Sequence, residues 1–235
     1  MRIFITGDLH GEEPVITSIP DRCPQLGKGD VLIVAGDFGI PWWQPGSARS
    51  QNDTELLRLF SDYEFTTCFI DGNHENFDLL QTSPYEERWG GKVQKIAPHI
   101  YHLCRGELFT FGENTIFTFG GATSVDKASR TEHISWWPEE NASSAEKDHG
   151  IDVLNHANWH VDYVITHTAP EQFFSVYQEL AFNKLLLACP TQAYLTELHH
   201  RLTYKKWYFG HYHGDKNSHS LRCRLLFDDI VELGE

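Results

Sequence analysis

Apolar runs along the chain end, again and again, in a small cluster of glycine and polar residues. Ile3-Phe4-Ile5 leads into Gly7-Asp8-Leu9-His10-Gly11, and Val31-Leu32-Ile33-Val34-Ala35 into Gly36-Asp37. Cys68-Phe69-Ile70 leads into Gly72-Asn73-His74-Glu75, Tyr163-Val164-Ile165 into Thr166-His167, and the weaker run Trp207-Tyr208-Phe209 into Gly210-His211-Tyr212-His213. Short apolar runs bounded by turn residues read as buried strands. The first third therefore predicts strands over 2–6, 31–35 and 67–71. An amphipathic helix over about 50–62 carries its apolar stripe on Leu56, Leu57, Leu59 and Phe60. Strands alternating with helices predict a sheet covered by helices.

The middle of the chain changes period. Ile100 to Leu103, Leu108 to Phe111 and Thr115 to Phe119 are short runs split by Gly106 and by Gly112-Glu113-Asn114, which predicts antiparallel strands joined by tight turns. A polar, tryptophan-bearing stretch from Ser124 to Glu140 follows. A helix over about 144–158 comes next, its start marked by Ser143 and Glu146 in capping-box spacing. After a strand over 161–166, the stretch from Ala169 to Leu202 is broken at Pro190-Thr191, and the part beyond the break reads as a helix. Strands return over 206–209, 221–227 and 230–233. The sum is one domain, residues 1–235, of two mixed sheets with helices outside.

Composition narrows the class. Of 235 residues, 40% are hydrophobic and 22% charged, a globular balance with enough chain for a substantial core. A net charge of −14 argues against broad attraction to nucleic-acid backbones or anionic lipid and toward small substrates. It leaves a nuclease possible in principle, because bound cations and a local arginine invert the field in a cleft. Five scattered cysteines without a paired motif read as reduced structural thiols. The first strand and its cluster begin almost at Met1, which leaves no room for a cleavable leader, and no apolar run reaches membrane-spanning length. These features predict a cytoplasmic protein with no membrane partner.

The clusters share one chemistry. Aspartate, histidine and asparagine are oxygen and nitrogen ligands suited to hard or borderline divalent metals. Strands that all end in such residues bring them to one edge of a sheet, where open α/β folds place their sites. Asp8 and His10 sit two positions apart in extended chain and so face the same way. Asp37 is a lone acid with two oxygens, able to bridge two ions. With Asn73, His167, His211 and His213 the set reaches seven candidate ligands.

Their order and spacing resemble the calcineurin-like metallophosphoesterases, whose blocks read D-x-H, GD, GNH[ED], H and GHxH. The resemblance covers residues 5 to 213 and implies an α/β fold, a four-layer αββα sandwich of two mixed sheets flanked by helices. It implies two divalent ions, manganese favoured over iron, zinc and nickel, and hydrolysis of phosphate mono- or diesters by an activated hydroxide. Carried over residue by residue, one ion falls to Asp8, His10 and His213 and the other to Asn73, His167 and His211, with Asp37 bridging. His74 inherits the role of proton donor to the leaving oxygen or partner to a phosphate oxygen. One block departs from the pattern: Gly36-Asp37-Phe38-Gly39-Ile40 lacks the second acid that orients this histidine in many members. Asp71, Asp78, Asp126 or a backbone carbonyl are the expected substitutes. The same departure weakens a protein-phosphatase reading. A nuclease and an inactive binding scaffold are the remaining alternatives, and a small, nucleotide-like ester is the favoured substrate.

Three further features stand outside the blocks. Arg130, in the segment following Gly120-Gly121, is a candidate clamp for substrate phosphate, against the plainer expectation that it pairs with a local acid. Trp136-Trp137 either stacks on a base or lids the cleft, or anchors a surface loop. Pro41-Trp42-Trp43, just past Asp37, is expected at the cleft rim. The histidine pairs His99/His102, His156/His160 and His199/His200 are not expected to bind metal.

Overall fold

Alternate residues of the central strands enter different cores, and this sets the layers. In β1 (Ile3–Thr6), Ile3 and Ile5 enter one core and Phe4 another; β2 (Val31–Val34) repeats the split, with Val31 and Ile33 set against Leu32 and Val34. Successive side chains of a strand point to opposite faces, so such runs make a sheet buried on both sides. The computed structural model, which describes residues 1–180 and 188–235, resolves the alternation into two sheets.

The seven-stranded sheet runs β13 (Val231–Glu232), β1, β2, β3 (Thr66–Phe69), β6 (Ile100–Leu103), β5 (Gly91–Ala97), β4 (Tyr85–Arg88). The six-stranded sheet runs β11 (Lys216–Ser218), β12 (Cys223–Leu225), β10 (Lys206–Phe209), β9 (Tyr163–Thr166), β8 (Asn114–Phe119), β7 (Glu107–Phe111). Ile5, Ile33 and Cys68 of the first meet Phe109, Ile116, Ile165 and Tyr208 of the second in a shared core. On the outer face of the first sheet, Phe4, Leu32 and Phe69 pack against Ile16 of α1 (Glu13–Thr17), Ile19 of α2 (Ile19–Arg22) and Leu56 and Phe60 of α3 (Ser50–Asp62). The outer face of the second buries Phe117, Phe119 and Phe209 with Leu154 of α5 (Ser144–His156) and Leu195 and Leu198 of α7 (Pro190–His199). Two short helices, α4 (Phe77–Thr82) and α6 (Phe174–Tyr177), complete the order. This is the four-layer αββα sandwich.

Some elements differ from the periodicity. Ile100–Leu103 and Glu107–Phe111 do not pair: the first lies between β3 and β5, and the second is the edge of the other sheet. Gly106, at φ 76°, sits where the chain passes from one sheet to the other, so the turn that suggested a hairpin is a crossover. Strands β4 and β11 carry no sequence signal because they are edges with mostly exposed, polar residues. Helix α5 does begin with its capping box: the Glu146 carboxylate accepts the Ser143 N–H at 2.7 Å and Ser143 Oγ accepts the Glu146 N–H. Part of the stretch from Ala169 to Leu202, residues 181–187, lies outside the described residues. Among the described residues no helix is long and apolar enough to cross a membrane.

Strands β1, β2 and β3 are parallel neighbours, as are β9 and β10. The residues that follow their carboxyl ends therefore gather at one edge of the paired sheets, and that edge is the candidate site.

Candidate metal centre

The chain leaves β1, β2 and β10 in backbone that side chains seldom adopt. His10 (φ 50°), Asp37 (φ 51°), His211 (φ 69°) and His213 (φ 51°) are all left-handed. Each such non-glycine residue costs about 1–2 kcal/mol, and clustered strain of this kind marks sites whose geometry the surroundings impose. The motif glycines make the close approach possible. A Cβ on Gly72 would lie 2.0 Å from Asp37 Oδ1, and one on Gly36 would lie 2.2 Å from His167 Nδ1. Glu75, the last residue of its block, holds the Asp37 loop from behind, its two oxygens accepting the Phe38 N–H at 2.8 Å and the Gly39 N–H at 3.1 Å.

Two groups of donor atoms result. In the first, His213 Nε2 lies 3.2 Å from His10 Nε2 and 3.2 Å from Asp8 Oδ2, while Asp37 Oδ2 is 3.8 Å from His10 Nε2. Asp8 Oδ2 is buried with no hydrogen bond. In the second, His167 Nε2 lies 3.3 Å from Asp37 Oδ1 and 3.1 Å from Asn73 Oδ1. His211 stands beside this group, its ring centroid 5.0 Å from that of His167 and its backbone N–H donating to Asp8 Oδ1 at 3.0 Å. Asp37 thus turns one oxygen to each group.

The donor chemistry fits cations. His167 Nδ1 contacts the Ala35 carbonyl at 2.8 Å, an acceptor only, so its proton sits on Nδ1 and a lone pair on Nε2. Asn73 donates its Nδ2 to Ser124 Oγ at 3.1 Å, which turns Oδ1 inward. Three electron-rich atoms, one each from His167, Asn73 and Asp37, therefore face one another, and only a cation or a second proton on the imidazole reconciles them. Proton binding there is favoured: burial opposes the charge, but Asp37 and Asp8 outweigh it and push His167 up to about 9. Burial likewise acts to raise Asp37, while His167, His74 and His10 hold it well below the usual carboxylate range. The same pocket that binds a proton this firmly suits a divalent ion.

His74 faces the cleft. Its backbone N–H donates to Asp37 Oδ1 at 2.7 Å, and its ring lies edge-on to His10 with centroids 5.0 Å apart. A ring nitrogen of His74 also falls within 4.8 Å of His10 and Asp37 donor atoms, so proximity alone does not separate it from the ligands. Burial, helped by Arg130 and opposed by Asp37, lowers its pKa. None of the carboxylates expected to orient it does so. Asp71 is bound by Arg105 Nε at 2.8 Å and His102 Nε2 at 3.1 Å, Asp78 by Trp137 Nε1 at 2.8 Å, and Asp126 by Arg130 Nε at 2.8 Å. Arg130 itself is the neighbour of His74: Nη1 lies 3.1 Å from Nδ1 and Nη2 3.2 Å from Nε2. A guanidinium that matches both ring nitrogens at once is laid over the ring rather than hydrogen-bonded at its edge. The pairing with a local acid, Asp126, is thus observed, and the same guanidinium lies beside His74.

The other sequence features sort by burial. Trp137 is a core residue that packs edge-on against Trp42 with centroids 5.3 Å apart, and Lys127 lies over Trp136, so this pair anchors the segment. Trp42 and Trp43 line a cleft together with His10, His74 and His213, at the rim as expected. His102 is buried in the Asp71 and Gln94 network, and His156 and His160 bond backbone carbonyls. The supports at Ser124 and the Arg105–Asp71–His102 network carry no spacing signal of their own.

The sequence profile of calcineurin-like phosphoesterases matches residues 1–215. No curated protein matches by sequence. Among solved structures, a phosphopantetheinyl hydrolase from Mycobacterium tuberculosis is similar at 16% identity and a TM-score of 0.49, covering 96% of this chain and 89% of that one. A protein assigned as a 5'-nucleotidase from Staphylococcus aureus is similar at 14% identity and a TM-score of 0.48, covering 96% of this chain. The chain spans about half of that nucleotidase, 48% of its length.

Proposed function

The chain belongs to the calcineurin-like phosphoesterase family, phosphate-ester hydrolases, and from that premise we propose that it hydrolyses small phosphate mono- or diesters with two divalent cations, manganese first among them. Asp8, His10 and His213 would hold one, Asn73, His167 and His211 the other, and Asp37 both. Bound there, the cations supply Lewis acidity, lowering the pKa of water toward about 7 and offsetting phosphate charge. The observation that carries the reading is the Asp37 carboxylate, which presents Oδ2 to His10 and Oδ1 to His167. Two carboxylates, Asp8 and Asp37, leave a pair of dications with net positive charge, which favours an oxyanion.

The chain's own residues complete the work. On this reading His74, which lines the cleft beside His10, passes a proton to the leaving oxygen. Arg130, whose Nε meets Asp126 at 2.8 Å and whose Nη1 donates to the Ser135 carbonyl at 3.1 Å, would turn the rest of its fork to non-bridging phosphate oxygens, and a planar fork holds two where a lysine holds one. The test is a screen with p-nitrophenyl phosphate and bis(p-nitrophenyl) phosphate on protein stripped by chelator and reconstituted with manganese, iron, zinc or nickel. Turnover is expected only after reconstitution, with two equivalents bound; activity indifferent to the chelator would overturn the reading.

The clamp has its own test. A hydrogen bond to a charged group contributes about 1.5–3 kcal/mol, so Arg130→Ala is expected to lower kcat/KM roughly 10- to 150-fold, and Arg130→Lys less. Metal content should stay at the wild-type value in both. Wild-type kcat/KM for Arg130→Ala on every ester turned over would leave Arg130 a structural partner of Asp126.

A further inference from the structure

A cleft of about 510 Å³ is lined by His10, His74 and His213 and also by Trp42 and Trp43. We propose that the two tryptophans form a stacking subsite for a flat, uncharged aromatic group, the base of a nucleoside whose phosphate ester is cleaved. This deepens the phosphoesterase reading and rests on it. The step is hydrolysis: the P–O ester bond breaks, and one water gives its hydroxyl to phosphorus and its proton to the nucleoside oxygen.

Preorganisation is the first argument. Asp53, buried at the start of α3, accepts the N–H groups of both Trp42 and Trp43 on one oxygen, each at 2.7 Å. Asn76 donates to the Trp42 carbonyl at 2.7 Å. The Trp42 indole stands edge-on against buried Trp137 at an interplanar angle of 89°. Arg49 lies over the Trp43 ring, 4.6 Å from its centroid, and Trp43 lines the cleft. Indoles held in place in this way bind a flat ring without the cost of ordering themselves.

Charge is the second. Among the described residues, those lining the cleft include the acids Glu12 and Asp53, and the cation beside them, Arg49, is set against the Trp43 ring. At the tryptophan end of the cleft a group carrying further phosphates would meet the Glu12 and Asp53 carboxylates, which disfavours polyphosphates and nucleic-acid backbone there. What suits such walls is neutral, flat and polar at its edges, and Asn52 places an amide at the same cleft. The volume lies within the range of about 300–1,000 Å³ usual for small-molecule sites.

The experiment compares adenosine 5'-monophosphate with glycerol 2-phosphate, and measures adenosine binding by tryptophan fluorescence. The expected result is a kcat/KM preference for the nucleotide that falls about tenfold in Trp43→Ala, as loss of a base–aromatic stack of about 1–3 kcal/mol requires, and recovers in Trp43→Phe. Adenosine should bind the wild type and lose affinity by the same factor in Trp43→Ala. Equal kcat/KM for the two esters, or a ratio untouched by Trp43→Ala, overturns the subsite while leaving the phosphoesterase reading in place. Absence of turnover of every ester, p-nitrophenyl phosphate included, sinks that reading, and adenosine binding that Trp43→Ala does not weaken then sinks the subsite separately.

Discussion

Asp37→Asn is expected to empty the centre and abolish turnover together. Each Asp37 oxygen faces a different donor group, 3.8 Å from His10 Nε2 and 3.3 Å from His167 Nε2. An amide offers only one oxygen and no charge, so it serves one group at most. Loss of residues that merely orient a metal ligand costs roughly 10–100-fold in affinity, and a ligand shared by two ions should cost more. The substitution is mild in every other respect. Asparagine tolerates the left-handed backbone that residue 37 adopts, at φ 51°. Its oxygen can still accept the His74 N–H that Asp37 accepts at 2.7 Å. Removing the charge also relieves Glu75, which burial and then Asp37 push well above the usual carboxylate range. A folded protein by circular dichroism, with metal content well below two equivalents and no detectable turnover, is therefore the expected set. Two bound metals with full activity in Asp37→Asn would remove the assignment.

The elements that carry this centre were the legible ones, for a physical reason. β1, β2, β3, β9 and β10 are covered on both faces, so they appear as unbroken apolar runs. The glycines after them are forced by the crowding that the donor atoms create, as at Gly72 and Gly36. The elements that were not legible owe their state to neighbours. β4 exposes Tyr85 and Glu87 at a sheet edge, and β11 exposes Lys216 and Asn217; neither alternates because neither has a buried face to fill. The pairing of β6 with β3, and not with β7, is a matter of where the chain crosses at Gly106, which local pattern does not encode.

The supporting polar groups were illegible for a different reason. Arg105 meets Asp71 across 34 positions, and His102 meets the same carboxylate across 31. The network is buried, and the Asp71 carboxylate is held at about 2: burial raises it, but Arg105 and then His102 outweigh that. Such groups announce themselves only when the fold brings them together. Glu75 was visible as the last letter of its block, yet its role, to accept two backbone N–H groups of the Asp37 loop, is written in the geometry alone. The orienter of His74 belongs with these. The sequence suggested a carboxylate or a backbone carbonyl, and the residue lying against the ring is Arg130, 56 positions away.

His74→Asn is the substitution that separates the reaction from the metals. Proximity alone would allow the His74 ring to join His10 and Asp37 around an ion, so the first measurement is metal content. Two retained equivalents are expected, because Asn73 and Asp37 stay in place, and loss of an ion would move His74 among the ligands. Rate is the second measurement. Proton transfer from a positioned group contributes about 10²–10⁴-fold, and that is the expected loss on an ester whose alcohol is a poor leaving group. A nitrophenolate leaves without a proton, so on p-nitrophenyl phosphate the loss should shrink toward the low end. Burial and the overlaid Arg130 depress the His74 pKa, which makes the imidazolium a stronger acid when it forms. The competing role, an N–H donor to a phosphate oxygen, does not depend on the alcohol. It therefore gives the same loss on both substrates, and equal losses would reassign His74 from proton donor to phosphate partner.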